Sequence, residues 1–373
     1  MLKKHVLILS SNLGFGHKSA AKAIGAALEE AGLNVTIANP TERSETPDIL
    51  KDMWSMYDET SKREGLYEFI YKLSDTELAS MATNSAMGAM MRDAVYSTIE
   101  ETKPDAIVSV HEDFLAPLKS LYEVAGFTYP IVTVVTDLTT IHRRWFNSIS
   151  DITIVPTDTG YRLALTYGLK SAKVRKIGIP VHPDLSKESR SPQEIREALA
   201  WERDRTTLLV VGSSRVTNLV ENLRGINHSN LNVQLVLVAG GDKALYNEFR
   251  GTTWHLPTQI YNYTDQIPEF MHASDVVISK AGGLIVSETL ACGKPILITD
   301  IIEGQETGNA DYVVENGAGM RAFTPVDVLE TLYHWLMNDG EMLKLRSENS
   351  AKLGRPRAAH DIAEIVQDLI ATR

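Results

Sequence analysis

The residues with the clearest chemical character lie between Ile278 and Asn309, ISKAGGLIVSETLACGKPILITDIIEGQETGN. Val276 to Ser279 reads as a short apolar strand, followed by the turn Ala281-Gly282-Gly283. Glycine has no Cβ, so the backbone of such a turn can approach a ligand closely. Leu284 to Ala291 reads as a helix whose first N–H groups and dipole point at whatever sits over the turn. Cys292, Gly293, Lys294 and Pro295 end that helix, and Pro295 to Thr299 is a second buried strand. Gln305, Glu306 and Asn309 follow with the spacing of one helical face. A phosphate seat beside amides and carboxylates suited to sugar hydroxyls suggests a nucleotide-sugar site. The Gly-Gly pair alone would equally serve a plain strand-to-helix turn; Glu288 and the Gln-Glu-x-x-Asn array carry the inference.

A second group of reactive side chains lies in the N-terminal half. His17 follows Gly14 and Gly16 at the mouth of the first expected strand. Imidazole titrates near neutral pH, which suits a general base, although a histidine capping the loop fits the position too. Asp137 ends the strand VTVVTD, where its carboxylate would orient His17, act as base itself, or cap the following turn. His142 and Trp145 come next in DLTTIHRRWF, and Trp145 equally suits core packing. His111-Glu112 begins like a zinc motif, but the fourth residue after His111 is Leu115, so HExxH is absent and no metal site is expected.

These motifs, KAGG, VSETLACGKPI, GQETGNADYVVENGAG and the N-terminal Gly-x-Gly-His, resemble the glycosyltransferases that make monoglycosyl diacylglycerol. That group comprises plant-type monogalactosyldiacylglycerol synthases and bacterial diacylglycerol glucosyltransferases, relatives of the enzyme making lipid II. The resemblance covers nearly the whole chain. It implies the GT-B fold, with two Rossmann-like α/β domains facing across a cleft and a C-terminal helix crossing back to the first. It implies transfer of galactose or glucose from a UDP-hexose to 1,2-diacylglycerol with inversion, with no cofactor and no required metal. The family's histidine carries over to His17. Gly16, Gly282, Gly283, Leu284 and Ile285 then surround the diphosphate, and Glu288 binds ribose hydroxyls. Tyr263 lies near uracil, Gln305, Glu306 and Asn309 hold the donor sugar and phosphate, and His142 and Trp145 line the acceptor side. The turn Ser213-Ser214-Arg215 departs from the family's glycine-rich pattern, so Arg215 is expected to supply direct charge there. Other readings are another lipid or soluble acceptor, a UDP-sugar epimerase of the same fold, and a non-catalytic nucleotide-sugar sensor.

Two repeats of an α/β rhythm must position these groups. His5 to Ser10, the alanine-rich helix Lys18 to Ala31, Gly32 and the strand Val35 to Ala38 open a doubly wound domain, whose ligands bind beyond the carboxyl ends of its strands. Residues 44–103 interrupt it with a mostly helical insert rich in Met, Trp, Tyr, Phe and Leu, from Met53, Trp54 and Tyr57 to Met90 and Met91. It reads either as a packed insert or as an amphipathic surface that meets a bilayer. Strands at Ala106–Val110, Ile131–Thr136, Ile152–Val155 and Val174–Ile177 follow, then a hinge at Gly178 to Pro183. The boundaries expected are 1–178, 179–354 and a returning helix over 355–373. The second domain has strands at Thr207–Val211, Val233–Ala239 and Val276–Ser279, and helices near Pro325–Met337, Glu341–Leu353 and Ala358–Ala371.

With 373 residues, 43% hydrophobic and 23% charged, the chain suits two ordinary domains rather than one core. Its single cysteine, Cys292, rules out an internal disulfide and suits a reducing compartment. No signal peptide and no apolar run of about 20 residues is visible, so a cytoplasmic protein, peripherally attached to a membrane surface, is expected. Net charge of −11 argues against a nucleic-acid partner. It is uneven, −3 over residues 1–178 and −8 over 179–373, which reads either as a first half that meets an anionic membrane more easily or as random scatter of surface charge.

Overall fold

The computed structural model describes residues 3–11, 15–50, 74–213, 216 and 218–372. Two compact units result, one of Met1–Pro183, Glu303–Gln305 and Arg357–Arg373, the other of Asp184–Ile302 and Glu306–Pro356. The division falls after Pro183 rather than after residue 178.

The first unit holds a 6-stranded parallel sheet of β1 (His5–Leu9), β2 (Asn34–Ala38), β3 (Ala106–Ser109), β4 (Ile131–Val134), β5 (Ile152–Val155) and β6 (Val174–Lys176). Its order is β2-β1-β3-β4-β5-β6. Side chains alternate along a strand, so each buried strand feeds two cores. Val6, Ile8, Val108 and Val132 face the helix Phe15–Glu30 through Ala21, Ile24, Ala27 and Leu28. Ile362, Ala363 and Val366 of the last helix, Ala358–Ala371, join this core. Leu7, Leu9, Ile107 and Ile131 face the other way, onto Met87 and Met91, Val95 and Ile99 of the insert. The insert's described helices are Glu77–Met90 and Arg92–Thr102. Met53, Trp54 and the rest of its apolar stretch to Leu73 lie outside the described residues, as do Gly14, Ser214 and Arg215.

The second unit repeats the layout with β7 (Thr206–Val211), β8 (Val233–Val238), β9 (Thr258–Tyr261), β10 (Val276–Lys280), β11 (Ile296–Asp300) and β12 (Gly319–Arg321). The parallel order β12-β11-β10-β7-β8-β9 reverses direction between β7 and β10. Ligands of doubly wound sheets sit at such switch points, off the carboxyl ends of the strands. Gly240 is needed at the β8 end: its φ is +65°, and a Cβ there would stand 2.4 Å from the Gly212 carbonyl oxygen.

Some elements differ from the sequence reading. β9 and β12 were not expected, because the first is polar with partly exposed positions and the second has three residues. The hinge expected at Gly178 to Pro183 is followed by two short helices that were not expected, Asp184–Lys187 and Pro192–Ala198, the second opened by a Ser191–Glu194 capping box. The break expected near residue 338 is present: Asn338, Asp339 and Gly340 adopt left-handed φ values of 51°, 55° and 71°.

Ile362 is fully buried between the terminal helix and the first sheet. Ile362→Ala should therefore cost about 2–5 kcal/mol of unfolding free energy. Denaturant titration followed by circular dichroism measures it, and a loss near zero would contradict this packing.

Candidate functional site

In the first unit the reactive groups gather where β1, β3 and β4 end. His17 lies in the first turn of Phe15–Glu30, where the chain leaves β1 for its helix. Its Nδ1 is 2.8 Å from the Val110 carbonyl oxygen and 2.9 Å from Thr136 Oγ1. A carbonyl can only accept, so Nδ1 carries the proton of the neutral ring and Nε2 keeps its lone pair. Burial, and secondarily the His111 ring 4.4 Å away, lower the His17 pKa to about 4; Glu112, the Val110 bond and Asp113 oppose that shift. A Cβ on the neighbouring Gly16 would meet no described atom within 4 Å, so the backbone is approachable there.

Asp137 does not orient His17. Its Oδ2 accepts the Trp145 indole N–H at 2.8 Å, and burial followed by the charge of Glu112 raises its pKa to about 7. Trp145 is itself 0% exposed, packed on Val135, Ile141 and Phe146, with its ring 6.2 Å from that of His17. It supports the cluster from inside and offers no face to an acceptor. His142 is also buried, its Nδ1 accepting the Arg144 N–H at 3.2 Å and its Nε2 lying 3.3 Å from Ser74 Oγ. Both acceptor-side assignments are thus corrected to buried supporting roles.

Glu112 is the residue the sequence reading passed over. It follows β3 in the short turn Glu112–Phe114, with Oε2 3.5 Å from His111 Nδ1. Burial raises its pKa, but His111, Arg144 and His17 outweigh that, and the net shift is downward. An ionised carboxylate here faces a neutral imidazole base. The signal was its place directly after a strand end, beside a histidine. His111, Glu112 and Asp113 bring ligand-type atoms within 4.8 Å of one another. Arg144 already pairs with Asp113, and His111 Nδ1 accepts the Asp113 N–H at 3.2 Å, so these donors serve the protein's own network.

In the second unit the expected donor residues stand on the loops after β7, β9, β10 and β11. Gly282 is the N-cap of Gly283–Ala291 with φ −64° and ψ 140°, and, having no side chain, it leaves the amides of Gly283, Leu284 and Ile285 uncapped by the N-cap residue. Glu288 lies one turn further along. No described group hydrogen-bonds its carboxylate, and burial raises its pKa to about 8. Ser213 follows β7 and is half-buried. Tyr263, after β9, is 61% exposed, with its hydroxyl donating to Asp265 at 3.0 Å.

The Gln305-Glu306-Asn309 array is divided. Gln305 belongs to the first unit and the other two to the second. Glu306 is 4% exposed, pairs with Lys280 and accepts the Ile302 N–H at 3.0 Å. Asn309, also 4% exposed, donates to the Ala281 carbonyl at 2.9 Å and so braces the glycine turn. These contacts correct their reading as open sugar-binding groups.

Residues 17–181 match the family described as monogalactosyldiacylglycerol (MGDG) synthase, and residues 206–362 match the glycosyltransferase family 28 C-terminal domain. The chain is 31% identical to monogalactosyldiacylglycerol synthase 3, chloroplastic, of Arabidopsis thaliana, over 98% of this chain and 81% of the relative. It is 30% identical to monogalactosyldiacylglycerol synthase, chloroplastic, of Spinacia oleracea, over 99% and 74%. Among solved structures, MurG of Acinetobacter baumannii superposes with a TM-score of 0.61 at 14% identity, covering 98% of this chain and 99% of that one. The UDP-GlcNAc 2-epimerase of Neisseria meningitidis bound to UDP-GlcNAc gives 0.61 at 13%, covering 99% and 100%. At these identities the likeness shows the fold: GT-B, with two Rossmann-like domains.

The surroundings of His17 make a titration prediction. Its imidazole should protonate near pH 4, and Glu112→Gln should move that midpoint lower, because a favourable negative charge is removed. Histidine NMR across the acid range measures it; an unmoved or higher midpoint in the variant would separate Glu112 from His17.

Proposed function

The chain belongs to the monogalactosyldiacylglycerol synthase family, and from that membership we propose that it transfers a hexose from UDP-hexose to 1,2-diacylglycerol. It is a glycosyltransferase, and family membership sets the epimerase reading aside. The observation that carries the proposal is the His17 tautomer, with Nδ1–H held by the Val110 carbonyl and Nε2 left basic.

The acceptor hydroxyl gives its proton to His17 Nε2 as its oxygen attacks the anomeric carbon. The bond from that carbon to the diphosphate oxygen breaks, UDP leaves with the electron pair, and the configuration inverts. A base of low pKa is unprotonated at neutral pH, and the imidazolium formed in the step is favoured by the Glu112 carboxylate. The amides of Gly283, Leu284 and Ile285 and the dipole of their helix face the charge developing on the diphosphate. Glu288 accepts two ribose hydroxyls, which accounts for a buried carboxylate with no donor among the described residues. Galactose is the sugar we favour, on the names of the relatives; glucose is the competitor.

The reaction runs at a membrane surface, because diacylglycerol resides in the bilayer and UDP-sugars are water-soluble, and we assign it to the cytoplasmic face. No described helix is long and apolar enough to cross a membrane. Ile49, Leu78 and Met81 of the insert region are 62%, 82% and 61% exposed, which supports surface contact with lipid. No metal is required, since helix amides and basic side chains can meet the diphosphate charge.

A donor panel with diacylglycerol in micelles, run with and without EDTA, tests the reading by product mass and sugar identity. Hexosyl diacylglycerol should form in both conditions. His17→Ala should lower turnover at least about 100-fold while UDP still binds. Normal transfer by that variant would remove His17 as base, and product made on soluble acceptors but not on diacylglycerol would move the assignment to another acceptor.

Glu288 adds a pH dependence. Ribose hydroxyls donate to the ionised carboxylate, so the bound pKa falls below the free value of about 8. Uridine affinity should therefore rise with pH up to about 8 and level off above it. Glu288→Gln should flatten that slope, and a wild-type affinity independent of pH between 5 and about 8 would contradict the assignment.

A further inference from the structure

The donor turn contains a cation that the sequence reading left without a role. β10 and β11 pair in register up to Ser279 opposite Ile298, and then Lys280 stands opposite Asp300, with Thr299 skipped. Such irregularities re-aim a side chain at a strand end. Here the Lys280 side chain runs under the glycine turn. Its Nζ lies 3.0 Å from where a Cβ on Gly282 would be. Its side chain is 19% exposed, and that of its partner Glu306 is 5% exposed. Glu306 is held in turn by the Ile302 N–H, and the turn by Asn309 Nδ2 on the Ala281 carbonyl.

We infer that Lys280 is a phosphate-binding cation of the donor seat, and that Glu306 is its positioning residue rather than a ligand of the sugar. The inference rests on the reading of this unit as the UDP-sugar site. An ammonium carries three N–H donors. One is spent on Glu306 Oε1, and the others are available beside the amides of Gly283, Leu284 and Ile285. A helix terminus supplies about half a unit charge, whereas the lysine supplies a whole one where the departing diphosphate gains negative charge. The buried carboxylate lets that cation stay desolvated before substrate arrives, and holds it in one place. Gly282 fits the same account, since the lysine head occupies the space a side chain would claim.

Calorimetric titration with uridine and with UDP separates the nucleoside and phosphate contributions. Lys280→Met should leave uridine affinity unchanged and weaken UDP about 10- to 100-fold, the scale of a lost charged hydrogen bond. Lys280→Arg should recover most of it. The double variant Lys280→Met with Glu306→Gln carries no orphaned buried charge and should show the same fall in the UDP-to-uridine affinity ratio. Glu306→Gln alone should lower UDP and UDP-hexose affinity by equal factors, as a positioning role requires; a loss confined to UDP-hexose would return Glu306 to the sugar. A wild-type ratio in both Lys280 variants lacking the cation would overturn the inference while leaving the UDP-sugar reading intact. Failure of the wild-type protein to bind either ligand would overturn that reading and this inference together.

Discussion

A carbonyl oxygen cannot donate a hydrogen bond, and the first unit depends on that restriction at Val110. Its oxygen claims the proton on His17 Nδ1 and so leaves Nε2 as the ring's basic atom. Val110 can do this because it directly follows β3, which pairs with β1 in the interior of the sheet. The helix bearing His17 is pinned to that sheet by Ala21, Ile24, Ala27 and Leu28, and the terminal helix packs into the same core through Ile362, Ala363 and Val366. Chemistry at one imidazole nitrogen thus rests on hydrophobic packing that extends to the last residues of the chain.

Around that ring, ionisable groups are pushed in opposite directions by burial and by one another. Burial lowers His17 and raises Asp137, while Glu112 stays ionised through its cationic and imidazole neighbours. The result is an uncharged base, a carboxyl that titrates near neutrality, and a fixed negative charge. The second unit uses carboxylates in the same divided way. Among the described residues Glu288 has no hydrogen-bond donor, and its pKa is raised, whereas Glu306 is buried against Lys280. A group without internal partners suits an external ligand, and a group with every contact inside suits support.

Much of this was legible from residue order. Apolar runs bounded by glycine gave the strands with errors of a residue or two, and β5 without error. Gly-x-Gly-His and the Ala-Gly-Gly turn were found because strand, turn and helix follow one another locally. The edge strand β9 was missed because polar, half-exposed residues lack the hydrophobic signal of an interior strand. Trp145 looked suited to a cleft, yet a tryptophan's preference for burial or a surface depends on neighbours that are distant in sequence.

Sequence alone determined the two α/β repeats, the strand-end location of the reactive residues and the family they resemble. Each follows from short-range pattern, since hydrophobic period, glycine turns and motif spacing are properties of adjacent residues. Tertiary structure decided which atom of each side chain is free. The partners that settle it, Val110 for His17, Trp145 for Asp137 and Lys280 for Glu306, are brought close by parallel strand pairing and loop packing. Hydrogen bonding and desolvation act over a few ångströms of space, whatever the distance along the chain.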